Sequence, residues 1–295
     1  MTHTKPPAAE AAPRAVPFLA GGPEALLHVA DVGGHPRDAT GTMRTGPWNV
    51  AADGAPAFGA LGVLTDVVWG GAAVACAPPG QWGITIEMEA SFGAPPPADG
   101  SRLHAHGEAV HRDAQGALAT GTVRAADGTL IAAGSQRTRF RSAAPQQRPL
   151  DPDAVAPLAG RGIADLLGLA PDGTGELAFI PALRVANTAG IAHGGILFCV
   201  SELAASRALG AAAAGLAPSS LKIVYLRPGA IGEELRCLAE IIYRGRTTAT
   251  VHVRCVRPDG KACTVATLSY GPVLASNPSR RGRLHCGTDA PTLAP

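Results

Sequence analysis

The feature that most constrains this chain is a repeat of itself. The pattern Gly100-x-x-Leu103-x-x-x-x-Glu108-x-x-x-Arg112 returns as Gly232-x-x-Leu235-x-x-x-x-Glu240-x-x-x-Arg244, 132 residues further on, and Asp127-Gly128 returns as Asp259-Gly260 in the same register. Six identities in one register, two of them in a turn signal between strand-like runs, point to duplication of one structural unit. Upstream, Asp66 and Glu202 align at a shift of 136, which needs a loop difference of only four residues. The fold must therefore come as two similar halves.

Each half has the same order. A short strand region comes first (Thr40–Val50; Thr174–Val185), then a long apolar segment rich in Ala and Gly (Ala57–Ala77; Gly194–Ala214). Strand-like runs rich in Val, Ile, Thr and Tyr follow, in the second half Ser220–Leu226, Glu234–Tyr243, Thr247–Val256 and Ala262–Tyr270. A helix apolar on nearly every side is buried on nearly every side. The expected class is α+β, with an antiparallel sheet wrapped around one long central helix in each half. The Ala- and Pro-rich residues 1–22 read as a disordered tail, the Pro-rich polar residues 144–157 as a linker, and residues 276–295 as a second tail. That leaves an N-terminal domain over 23–143 and a C-terminal domain over 158–275.

Bulk composition excludes several functions. The 25 basic and 23 acidic residues give a net charge of +2, against a general nucleic-acid binder. None of the six cysteines forms a CxxC pair, so no zinc ribbon or other metal site is expected. No dinucleotide or phosphate-loop fingerprint is present, so no bound cofactor is expected. The N-terminus lacks the apolar core of a signal peptide, and no window reads as a membrane span. The expectation is a soluble, cytoplasmic protein.

Two acids stand out by isolation. Glu202 is the only charged side chain between His193 and Arg207, and Asp66 the only one between Asp53 and Glu87. A carboxylate inside an apolar helix costs several kcal/mol unless paired or hydrogen-bonded, so each is either structurally satisfied or kept for chemistry. The second helix begins at Asn187-Thr-Ala-Gly190-Ile-Ala-His193-Gly194-Gly195. Free amides at a helix N-terminus bind and polarise an oxygen, and glycines let a ligand come close. His193 can cap the helix, position a substrate or move a proton, and Asn187 can equally be a turn residue. Ser206, one turn beyond Glu202, can bond the carboxylate, a water or its own helix.

Asn-x-x-Gly-x-x-His-Gly-Gly with an acid nine residues after the His resembles the phenylacetate-pathway (PaaI-like) branch of hotdog acyl-CoA thioesterases. Tyr225-Leu226-Arg227-Pro228 and Gly245-Arg246 are similar to that branch too, so the likeness spans about residues 185–270. It implies a double hotdog that hydrolyses acyl-CoA thioesters without a metal, CoA being part of the substrate. Helix-N-terminal amides hold the thioester carbonyl, and an Asp or Glu activates water or attacks directly. The first half keeps Gly59 and Asp66 in register, but Ala57 stands in the place of the His, Phe58 in that of the first Gly and Gly70 in that of Ser206. Family members pair two hotdogs as a homodimer; this chain supplies both, and two chains can pair further as a dimer of double hotdogs.

Helical rise puts Glu202 about 12 Å along the axis from Gly194, too far to serve a carbonyl held there. Each acid is therefore expected to work with the other half's helix start, across a pseudo-two-fold. One composite site would join Asn187, His193, Gly194 and Gly195 to Asp66. The other would join the Gly59 helix start to Glu202 and Ser206. Hydrolysis is expected at the first, whose oxyanion side is intact. Arg227, Arg244 and Arg246 are candidates for the CoA phosphates, or else ordinary strand-end charges. Two alternatives remain open: a hotdog that binds acyl-CoA or an acyl carrier without cleaving it, and a hotdog hydratase or dehydratase. The latter requires a His after the helix acid, whereas here the His precedes it.

Overall fold

The computed structural model of the chain describes residues 22–35, 37–142, 161–171, 176–210 and 215–272. The tails and linker read from composition lie outside them, apart from Gly22. The first half runs α1 (Pro23–Leu26), β1 (Val29–His35), β2 (Asp38–Arg44), α2 (Gly62–Val74), β3 (Trp82–Phe92), β4 (Arg102–Arg112), β5 (Gly116–Ala125) and β6 (Leu130–Arg141). The second runs α3 (Ile163–Leu167), β7 (Ala170–Pro171), β8 (Leu177–Phe179), α4 (Gly194–Leu209), β9 (Leu216–Tyr225), β10 (Leu235–Arg244), β11 (Ala249–Val256) and β12 (Ala262–Pro272). This is the tandem hotdog arrangement: α2 and α4 are the long central helices, each wrapped by the strands of its own half.

The strands form one twelve-stranded antiparallel sheet in the order β1-β2-β4-β5-β6-β3-β9-β12-β11-β10-β8-β7. The halves join where β3 pairs with β9, from Glu87 opposite Val224 to Ser91 opposite Ser220. Strand alternation places the core. Leu103, Ala105 and Ala109 of β4 face inward, as do Ala249, Val251, Val253 and Cys255 of β11. The repeated Asp-Gly pairs do the same work in both halves. Asp127 Oδ1 accepts from the Thr129 amide at 2.9 Å and Asp259 Oδ1 from the Lys261 amide at 3.1 Å. Gly128 and Gly260 follow at φ 87° and 75°, a region that glycine enters without strain.

The long apolar segments contain the two helices, with local differences: α4 ends at Leu209 on Gly210, and residues 211–214 of the expected segment lie outside the described residues. α2 is entered through a 3-10 turn, Phe58–Leu61, rather than being α-helical from Ala57. The strand expected over Thr40–Val50 stops at Arg44, because Pro47 has no amide to donate and opens a 3-10 turn, with Trp48 Nε1 donating back to Arg44 O at 3.0 Å. Of the region Thr174–Val185, the described residues 176–185 yield β8 and a 3-10 turn, Leu183–Val185. β1 lacks a readable pattern, since most of its residues are exposed on both faces.

The two helices cross backbone against backbone. A Cβ at Gly62 would lie 2.4 Å from Gly195 O, and a Cβ at Gly195 would lie 2.4 Å from Gly62 C. No side chain fits at either position without separating the helices. Replacing Gly62 by Ala gains up to about 1 kcal/mol of helix propensity. Overpacking at the crossing costs more, so G62A is expected to lower the unfolding free energy by a net ~2 kcal/mol. Urea unfolding measures this, and an unchanged or raised midpoint would show that the helices do not meet there.

Candidate active site

The crossing carries each helix acid to the start of the other helix. Asp66 Oδ2, from α2, accepts from the Gly195 amide in the first turn of α4 at 3.0 Å. By the same relation inverted, Glu202 Oε2, from α4, accepts from the Gly59 amide at 3.4 Å. Gly59 and Gly195 are related by the same shift of 136 as Asp66 and Glu202, so the two contacts are copies of one geometry.

The loop before α4 is built to present its N-terminus. Asn187 Oδ1 accepts from the amides of Ala189 at 2.9 Å and Ile191 at 3.3 Å, and Gly190 sits at φ 75°. The side-chain oxygen of Asn187 thus shapes its own turn. The His193 amide then donates to Val185 O at 3.0 Å, and the ring caps the helix by accepting from the Gly195 amide at Nδ1, also 3.0 Å. The first half repeats the backbone of this loop: Gly54 sits at φ 84°, and the Ala51 amide donates to Ala55 O at 2.8 Å as the Asn187 amide donates to Ile191 O at 2.8 Å, but Ala51 has no side-chain oxygen to shape the turn. The Gly54–Gly190 pair was a readable signal at the same shift of 136.

Around Asp66, two groups that the motif did not show join His193. Gln136 Nε2 donates to Asp66 Oδ1 at 2.9 Å, Thr85 Oγ1 donates to the same oxygen at 3.2 Å, and His193 Nδ1 lies 3.4 Å from Oδ2. Glu24 Oε1, from α1, lies 3.5 Å from His193 Nε2. Gly70 has its explanation here. A Cβ at that position would lie 2.4 Å from Gln136 Nε2, so the missing side chain makes room for the amide that holds Asp66. Burial works against the charged His193 ring, and it is the largest single effect. The Glu24 and Asp66 carboxylates together outweigh it and hold the imidazole above its ordinary value.

Gly194 lies too close to the acid for a side chain to fit. A Cβ there would stand 2.6 Å from Asp66 Oδ2 and 3.4 Å from the Tyr225 ring. Tyr225 closes the other side, its hydroxyl donating to Gly194 O at 2.9 Å. Burial raises this phenol well above its ordinary value, with the nearby Asp66 adding to the effect, so the hydroxyl keeps its proton.

The second constellation carries phenylalanine rings in place of glycine and tyrosine. Phe58 stands in the place of Gly194 and packs edge to face on Phe92 with ring centroids 5.0 Å apart. Phe92 ends β3 as Tyr225 ends β9. Glu202 is fully enclosed, receiving the Ser206 hydroxyl at Oε1 at 2.6 Å, and Ser206 Oγ lies 3.0 Å from the Tyr270 hydroxyl. Burial pushes the Glu202 carboxyl up to about 7, against the Ser206 and Gly59 hydrogen bonds.

The three arginines separate. Arg227 follows Tyr225 by two residues at the Gly194 end of the sheet, with Nη1 donating to Ala262 O at 2.9 Å. Arg244 pairs with Ala249, which pairs with Tyr270, so Arg244 and Arg246 belong to the Ser206–Tyr270 end. Among the described residues there is no group of three or more His, Cys, Asp or Glu side chains arranged to hold a metal ion. No helix among the described residues is long and apolar enough to cross a membrane.

Residues 183–271 match the family model described as the acyl-CoA thioesterase N-terminal domain. No curated protein matches the chain. Among solved structures, a candidate oleoyl thioesterase of Lactobacillus plantarum aligns over 80% of this chain and 97% of its own at TM-score 0.56 and 14% identity. The tesB protein of Mycobacterium avium subs paratuberculosis covers 79% and 92% at TM-score 0.55 and 10% identity. An acyl-ACP thioesterase of Bacteroides thetaiotaomicron covers 79% and 98% at TM-score 0.54 and 10% identity. Such low identities speak for the fold. The chain has the tandem hotdog fold that these solved structures share, and within its C-terminal half residues 183–271 match the sequence pattern of the acyl-CoA thioesterase N-terminal domain.

Proposed function

We propose that this chain is a PaaI-like acyl-CoA thioesterase that works at one composite site, made by Asp66 from the first half and His193, Gly194 and Gly195 from the second. The observation that carries this reading is the 3.0 Å contact between Asp66 Oδ2 and the Gly195 amide. An acid poised for chemistry and a helix-start donor poised for an oxygen stand side by side, and they come from different halves.

The thioester carbonyl takes the place of Asp66 Oδ2 on the Gly195 amide, where the helix dipole favours developing negative charge. Water between the displaced carboxylate and the carbonyl carbon gives a proton to Asp66 as its oxygen bonds to carbon. The tetrahedral oxyanion collapses, the carbon–sulfur bond breaks, and the thiolate of CoA takes up the proton. Thr85 and Gln136 keep Asp66 Oδ1 fixed while Oδ2 works. Gly194 gives the thioester its approach, and Tyr225 bounds it. Arg227 stands at the same end to receive a phosphate of CoA. The composite site needs no second chain, because one chain supplies both hotdogs.

On this reading the Glu202 constellation is structural. Phe58 and Phe92 occupy the space in which a thioester would have to lie. Gly59, Ser206 and Tyr270 serve to satisfy a buried carboxyl, and Arg244 and Arg246 are strand-end charges.

Replacing Asp66 by Asn is expected to lower kcat at least 10²-fold, the scale of a lost general base, with KM little changed. Glu202→Gln should keep most of the activity. Release of free thiol from a panel of acyl-CoAs measures both. Full activity in D66N would sink the mechanism, and a wild-type protein that binds CoA esters but releases no thiol would be a binding module.

The Glu202 carboxyl also makes stability depend on pH. Its folded value of about 7 lies above the ordinary 4.5, so the folded state holds the proton more tightly. Below 4.5 both states are protonated and nothing is lost; as pH rises towards 7 the folded protein must carry a buried charge. Wild type should therefore lose roughly 2–3 kcal/mol relative to E202Q between pH ~5 and ~8. Urea unfolding of both proteins at the two pH values checks this, and parallel behaviour would contradict it.

A further inference from the structure

We propose that Glu24, from the segment ahead of the first hotdog sheet, is a positioning residue that fixes the state of His193 and thereby the availability of the Gly195 amide. Glu24 lies outside the repeat and the motif, yet its side chain is only 11% exposed. A carboxylate so enclosed needs a partner. Among the described residues the basic group within 4 Å is His193 Nε2, at 3.5 Å.

The segment that carries Glu24 is anchored. Leu26 and Leu27 are buried, the Leu26 and Leu27 amides donate to Gly22 O and Pro23 O at 2.9 and 3.0 Å, and His28 stacks on Trp48 with ring centroids 3.9 Å apart. The anchoring holds Glu24 beside the opposite half's helix cap.

The imidazole then has two states with different consequences. In the neutral ring Nε2 carries the proton toward Glu24, and Nδ1 accepts from the Gly195 amide, which it shares with Asp66 Oδ2. In the protonated ring Nδ1 also carries a proton. It can no longer accept from Gly195, and it faces Asp66 Oδ2 at 3.4 Å instead. Protonation therefore releases the helix-start amide from the ring and leaves it to Asp66 Oδ2, the oxygen whose place a substrate carbonyl takes. The groups facing the ring are Glu24 from α1 and Asp66 from α2, and the Gly195 amide lies on its own element. Glu24 favours the protonated state by charge and sets the neutral tautomer by geometry.

The catalytic meaning of this arrangement rests on Asp66 and Gly195 being the hydrolytic pair, whereas the state of the ring can be read without turnover. The test is an NMR titration of the ¹⁵N-labelled imidazole of His193, assigned by its loss in H193N, in wild type and in Glu24→Gln. Glutamine preserves the size of the side chain and an acceptor for Nε2, and it removes the charge. The His193 midpoint should fall by about one pH unit or more in E24Q, because an opposite charge has been taken away. If E24Q does not fold, Glu24→Asp, with the carboxylate withdrawn by one methylene, should move the midpoint the same way by less. An unchanged midpoint in a folded variant would overturn the proposal. Where thioester hydrolysis is measurable, the pH profile of kcat/KM should shift with the NMR midpoint, which a merely structural role for Glu24 would not cause. A shifted midpoint in a protein that hydrolyses no thioester would uphold Glu24's role and reject the thioesterase reading.

Discussion

Everything at the centre of this protein depends on two helices touching without side chains between them. The Gly62–Gly195 contact lets α2 and α4 cross at backbone distance. Only a crossing that close can bring a carboxylate from the body of one helix onto the first-turn amide of the other. Sheet continuity through β3 and β9 fixes the relation from outside. The crossing, rather than either half by itself, creates a place where an acid and a polarising donor meet. Neither helix can serve itself, because its own acid lies too far down the axis from its own free amides.

Duplication gave two such places, and the two copies have gone separate ways. At the Gly195 end glycine and tyrosine stand where the other copy has two phenylalanines, and the acid is held from behind by Thr85 and Gln136. At the Gly59 end two aromatic rings pack on each other, and the acid is closed in with Ser206 and Tyr270. The same carboxylate-to-amide geometry thus holds a half-buried acid beside glycine in one case and a packed polar cluster in the other. The difference comes from the residues at four places: Gly194 against Phe58, Tyr225 against Phe92, His193 against Ala57, and Gly70 against Ser206.

Much of this was legible in the sequence. The repeat gave the two-fold layout, isolation marked Asp66 and Glu202, and helical rise required each acid to face the other half. The residues that hold Asp66 were not legible, for a physical reason. Thr85 faces the helix only because the β3–β6 register slips between Thr85 and Glu87, and a one-residue slip exchanges the faces of a strand. Gln136 reaches Asp66 only because Gly70 leaves a gap, a vacancy that reads as a loss until its occupant is seen. Glu24 belongs to a four-residue helix with no pattern of its own, and its partner sits in the other half. Short, aperiodic segments placed by tertiary contacts carry little local signal.

The central claim is that the working site is built from both halves, at Gly195 and Asp66. A crystal structure of D66N with an acyl-CoA substrate trapped in it tests this most directly. The account predicts the thioester carbonyl oxygen on the Gly195 amide, the carbonyl carbon facing position 66, and the CoA moiety leaving past Gly194 and Tyr225. A thioester seated at Gly59 and Glu202, or bound away from both helix starts, would contradict it.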